Sequence, residues 1–133
     1  MGRDKARRGA RATKERFVGL PFHVLHSAAY RGLPHVARSL LIDIAEQYKG
    51  DNNGQLLASR AHLEKLGWHS AGVIHKNVHV LEQAGLLYQT VKGGFPNTAS
   101  WYALTWRDLN DHDDYDDGKK AAFVRNAHLK PTL

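Results

Sequence analysis

Apolar residues recur at helical spacing in two stretches of the chain. In the first, Pro34 opens a run whose apolar positions are Val36, Ala37, Leu40, Leu41, Ile44, Ala45 and Tyr48, a stripe along one side of a helix. In the second, the stripe is Val73, Ile74, Val78, Leu81 and Ala84. Ser70 stands before it, where a side-chain oxygen can accept from the amides of a first turn. Gly85 stands after it, where a left-handed residue closes many helices. Between the two stretches Ser59 caps a short helix over Arg60 to Leu66, Gly67 terminates it, and Trp68-His69 makes a tight turn. Ahead of both, Pro21 suits a first helical turn, and Phe22, Leu25, Ala29 and Tyr30 fall near one face. A short helix is therefore predicted within Phe17 to Tyr30, ended by Gly32.

After Gly85 the pattern changes. Leu86 to Val91 reads as a strand, Lys92 to Ser100 as a loop holding two glycines and a proline, and Trp101 to Trp106 as the returning strand. Gly50 to Gly54 is a loop by composition, and Gln55-Leu56-Leu57 has room for only a very short strand. The order is helix, short strand, helix, turn, helix, hairpin. It predicts an α+β, mainly α fold: a winged helix-turn-helix with a C-terminal β-hairpin as its wing. The expected divisions are a basic disordered arm over residues 1–16, the winged-helix domain over 17–109 and an acidic, mixed tail over 110–133. Within that tail Ala121 to Leu129 has a weak helical pattern.

Charge sharpens this picture. The chain of 133 residues carries a net charge of +6, distributed as +5 in residues 1–16, +2 in 17–106 and −1 in 107–133. A basic arm on a mildly basic body points to a polyanionic partner. Nucleic acid fits better than an anionic membrane, because the arm has no apolar face to insert. No apolar run approaches the roughly 18 residues of a membrane span. The N-terminus also lacks an apolar signal region, so a cytoplasmic protein is expected. Cysteine is absent, which removes disulfides and thiolate chemistry from consideration.

The second helical stretch holds the candidate chemistry. Opposite its apolar stripe lie Ser70, Gly72, His75, Lys76 and His79, with Asn77 on the flank, and no carboxylate occurs until Glu82. In a helix-turn-helix this second helix enters the major groove, and its N-terminal half reaches base edges. These six residues are the predicted DNA face. No arginine or glutamine is among them, so bidentate reading of guanine or adenine is weak. Arg60 and Lys65 on the preceding helix are placed to meet phosphates. Lys92 does the same from the hairpin loop, and Arg7, Arg8 and Arg11 from the arm. Gly72 costs helix stability of about 1 kcal/mol relative to alanine, which close backbone approach would justify. Protonation of the histidines below about pH 6.5 would add positive charge to this face.

His75 and His79 stand four apart but lack a third protein ligand, so no metal or cofactor is expected. The acidic run offers no calcium loop: with Asp113 as first ligand, Tyr115 and Val124 fall where oxygen ligands are required. No phosphate-binding glycine loop or nucleophile elbow occurs, and the carboxylates of residues 17–106 are scattered, so no enzyme is expected.

Four pieces of the chain resemble a known family. They are Asn52-Asn53-Gly54 before the short strand, Gly67-Trp68-x-Ser70, Leu81-Glu82-x-x-Gly85-Leu86, and Tyr102-Ala103-Leu104-Thr105-Trp106. Together they make Pro34 to Trp106 similar to the winged-helix domains of phage and plasmid replication proteins and related prophage DNA-binding proteins. The resemblance implies double-stranded DNA as the partner and a role in replication initiation or transcription regulation. A homodimer through Phe17 to Tyr30 is a further expectation. The rival reading is a winged-helix interaction module, such as a phage-encoded inhibitor or adaptor, whose helix face docks on protein.

Overall fold

The computed structural model describes residues 15–94 and 98–129. Its elements are α1 (Phe22–Leu25), α2 (Ala28–Arg31), α3 (His35–Ala45), β1 (Leu56–Leu57), α4 (Arg60–Leu63), α5 (Ala71–Gln83), β2 (Leu87–Val91), β3 (Trp101–Leu104) and α6 (Lys119–Ala122). A 3-10 turn, Glu64–Leu66, continues α4, and another, Ala127–Leu129, closes the described chain. The fold is α+β and mainly α, with three antiparallel strands in the order β1–β3–β2.

Serines set three of the helix starts. The Oγ of Ser27, Ser59 and Ser70 accepts from the amides of Tyr30, His62 and Val73 respectively, relieving one orphan donor in each first turn. Ser27 also explains a difference from expectation. Its Oγ donates to the Val24 carbonyl at 2.7 Å while capping Tyr30, so it ends α1 and starts α2. Phe17 to Tyr30 is therefore an extended lead followed by two four-residue helices. Val24 is the buried residue of α1, and Phe22 lies exposed, stacked on His26. Gly67 and Gly85 take positive φ angles of 100° and 75°, closing the turn after α4 and the end of α5.

The core lies where α3 and α5 cross and rest on the sheet. Leu40, Leu41 and Ile44 of α3 meet Ile74, Val78 and Leu81 of α5, with Leu56, Leu63, Leu86, Leu104 and Trp106 closing around them. Each such leucine contributes about 1.5–3 kcal/mol of hydrophobic stabilisation. Two stripe residues are not part of it. Val36 and Val73 stand near the N-terminal ends of their helices and are 47% and 43% exposed, while the adjacent Ala37 and Ile74 are buried, so the two valines lie off the packed face.

In the sheet, Leu56 pairs with Tyr102 and Leu87 with Leu104, and the β2–β3 register slips between Gln89 and Val91. The slip frees Thr90 to turn inward, where its hydroxyl donates to the Gly54 carbonyl. At the other end of the hairpin, Gly94 and Thr98 exchange backbone hydrogen bonds.

Asn53 ties the loop before β1 to the chain beyond β3. Its side chain is fully buried, donates to the carbonyls of Leu104 (2.9 Å) and Asp108 (3.0 Å), and accepts from the Leu104 amide (2.7 Å). Its backbone amide donates to Asn110 Oδ1, and its carbonyl accepts from the amide of Asn110 and the hydroxyl of Tyr115.

The segment from Asn110 onward is knitted into the body, which corrects the expected separate tail. The Tyr88 hydroxyl donates to the Lys119 carbonyl, the Asp116 amide to Thr90, and the Asn126 amide to Thr105, while Phe123 sets its edge on the Tyr88 ring. Its aspartates sit outside, where Asp111 pairs with Lys120 and Asp108 with Arg125, each at 2.6 Å. Where a helix was expected over Ala121 to Leu129, α6 and the closing 3-10 turn are separated by Phe123 to Asn126.

Candidate nucleic-acid interface

Helix α5 owes its position to both ends. Before it, the Trp68 indole N–H donates to Asp43 Oδ2 on α3 at 2.6 Å, pinning the turn between α4 and α5. After it, Gly85 turns the chain into β2 so tightly that a Cβ there would lie 2.9 Å from the backbone of Ala127. One face packs on α3, and the other faces solvent.

Ser70, Gly72, His75, Lys76 and His79 are all exposed on that outer face. Asn77 is not among them. It is buried, and its side-chain amide donates to the Val73 carbonyl one turn back at 2.8 Å, so it serves the helix rather than its surface. No carboxylate occurs from Lys65 to Leu81. Glu82 marks the edge of the row. Burial raises its carboxyl above the ordinary range, against the nearby charges of His79, Lys119 and His75.

Beside the row opens a cleft of about 290 Å³ between the start of α4, the inner flank of α5 and strand β3. Ser59, Arg60, His75 and Ser100 supply polar groups, while Ile74 and Val78 supply apolar lining. Tyr102 also lines it, and its hydroxyl accepts from Gln89 Nε2 at 3.2 Å. Burial, above all, pushes the Tyr102 hydroxyl pKa up, so it remains a donor at neutral pH. Reading the residues in order did not find this cleft. Ser59 was visible as a cap, but nothing in the pattern brings Ser100 from the hairpin to His75 on the helix.

The remaining predicted cations stand differently. Arg60 reaches Glu64 at 3.6 Å, an exposed pair one helical turn long. Such a pair contributes only about 0.3–0.5 kcal/mol and yields readily to another anion. Lys65 is exposed on the 3-10 turn. Lys92 is exposed just after β2, and its backbone amide donates to Asp116 Oδ2 at 2.7 Å. Arg7, Arg8 and Arg11 lie outside the described residues, as do Phe95, Pro96 and Asn97 of the hairpin tip.

Among the described residues no group of three histidines, aspartates or glutamates converges as a metal site. No helix there is long and apolar enough to cross a membrane. Chemically, the arrangement offers one ammonium, two imidazoles, several hydroxyls and a cleft, with Glu64 beside Arg60 and Glu82 at the edge of the row as the neighbouring carboxylates. That suits the binding of an extended anion.

No family model matches this chain, and neither a curated protein nor a solved structure does.

Proposed function

We propose that this chain binds duplex DNA as a winged helix-turn-helix, with α4, the Trp68 turn and α5 as the helix-turn-helix and the β2–β3 hairpin as the wing. The observation that carries the reading is the exposed, carboxylate-free row on α5 with a polar-rimmed cleft at its side. Element order and the β1–β3–β2 sheet are consistent with that architecture. On this reading α5 lies in the major groove and Lys76 and His79 face the duplex. Arg60 and Ser59 meet a phosphate at the rim of the cleft, and the arm arginines add sequence-independent attraction.

Titration of a labelled random duplex at increasing salt tests it. Each phosphate contact contributes about −0.9 to the slope of log affinity against log salt concentration. The full chain is expected to give a steep slope, and removal of residues 1–14 a shallower one. Affinity that does not change with salt, or no binding at low salt, would overturn the reading. Stable capture of a protein by the same helix face would then favour an interaction module.

Gly72 offers a separate check. A Cβ there would meet nothing nearer than Ser70 Oγ at 3.8 Å, so the free protein has room for alanine. Gly72→Ala is expected to stabilise α5 by about 0.5–1 kcal/mol, read as a higher melting temperature, because alanine loses less freedom in a helix. The same substitution is expected to weaken duplex binding, because the methyl group fills the space that close approach uses. Unchanged affinity would remove Gly72 from the contact.

A further inference from the structure

We propose that His23 and His128 form an acid-released latch that holds the C-terminal turn Ala127–Leu129 against α1 and against the joint between α5 and β2. The two rings come from residues 105 positions apart, stack with centroids 5.3 Å apart at 18°, and place His23 Nδ1 3.2 Å from His128 Nε2. A hydrogen bond at that distance needs one nitrogen with a proton and one with a free lone pair. When both rings are protonated, two N–H groups face each other and the bond becomes a repulsion.

His128 cannot turn its charge to water, because it is only 5% exposed and its Nδ1 has no hydrogen-bond partner. The elements packed around it offer no compensating anion. Helix α1 brings His23, with His26 on its far side occupied by Phe22, and α2 brings only the cation Arg31. At the joint the contact is the backbone of Gly85, and the nearby Glu82 is engaged by His79, Lys119 and His75. Within the segment itself, Arg125 and Asp108 are paired with each other. Burial, and then the charge of His23, hold the His128 imidazole below its ordinary pKa of about 6.5.

The latch acts on a turn that a short set of other contacts also holds. Asn126 adopts a left-handed φ of 59°, a conformation a non-glycine residue holds only under tertiary constraint. Its amide donates to the Thr105 carbonyl at 2.7 Å, and the Leu129 amide donates back to Asn126 at 2.9 Å. Ala127 rests on Gly85. Opening the His23–His128 contact therefore frees the turn from α1 and unloads the joint where α5 passes into β2.

The sign follows from proton linkage. His128 binds a proton less tightly folded than unfolded, so its contribution is present above about pH 6.5 and is lost as pH falls below it. Hydrogen exchange of the Asn126 and Leu129 amides, corrected for intrinsic rate, is the direct readout. Between pH 7.5 and pH 5.5 their protection is expected to fall several-fold, while α5 amides near Val78 stay protected. In His23→Ala the two amides are expected to be poorly protected at both pH values. In His128→Gln, whose amide can keep a hydrogen bond to His23 without titrating, the pH dependence is expected to flatten. Equal protection of the wild type at both pH values would overturn the proposal. So would an undiminished pH dependence in both variants.

Discussion

Replacing Asn53 with alanine is expected to lower stability by about 3–4 kcal/mol, the largest effect of any polar substitution in the described fold. The reason is what the amide leaves behind. The Leu104 amide and the carbonyls of Leu104 and Asp108 lose their side-chain partner together. In a domain of this size the loss corresponds to a fall in melting temperature of about 10–15 °C. Asn53→Asp separates the donor from the acceptor. It keeps an oxygen for the Leu104 amide but turns a carboxylate toward two carbonyls. It is therefore expected to be as damaging as alanine at pH 7 and to recover in part as acid protonates it. Thermal melts of the two variants at pH 7 and pH 4.5 check both statements. An alanine variant melting within a few degrees of the wild type would show that the loop, not its side chain, holds this junction.

Reversing charge on the proposed binding face is the second large effect. Lys65→Glu with Lys76→Glu moves four charge units where the duplex is proposed to lie, and affinity is expected to fall about a hundredfold at low salt, flattening the salt dependence as well. Both side chains are exposed and make no hydrogen bond or ion pair among the described residues. Folding stability is therefore expected to change by no more than about 0.5 kcal/mol. Fluorescence anisotropy on the duplex and a melt of the free protein separate the two effects. The same double change outside the proposed face, at Lys120 and Arg125, is expected to leave affinity within a few-fold. Equal losses at both places would mean that net charge, and not the α5 face, governs binding.

The starts of α4 and α5 were legible because serine caps act within four residues of themselves, and so were the ends at Gly67 and Gly85, where φ is positive. The strands were legible because apolar runs bounded by glycine-rich loops have few other uses. What was missed depends on partners far along the chain. Asn110, Tyr115 and Lys119 looked like a solvated acidic stretch, since nothing local reveals that Asn53 and Tyr88 are waiting for them. The acids obscured the aromatic anchors between them. At the candidate site the exposed row on α5 was readable from spacing, but Asn77 was not. A flanking asparagine can reach outward or bond back to the preceding turn, and the burial that decides comes from tertiary packing. Val73 went the other way, apolar yet exposed, because it lies off the face on which the adjacent Ile74 is packed. The cleft needed Ser100 and His75 brought together across the fold, a juxtaposition no spacing rule expresses.

The strand order has a consequence for how the protein is made. The middle strand, β3, is the last of the three to be synthesised, and both neighbours depend on it. At ribosomal rates of roughly 5–20 residues per second, β1 is made several seconds before Trp101 appears, with its partner edge still unpaired. The His128 contact closes later still. A nascent chain stalled in the hairpin loop would thus carry α3, α4 and α5 but no sheet beneath them. That is the interval in which a chaperone, or a second nascent chain offering its own β3, would find something to bind.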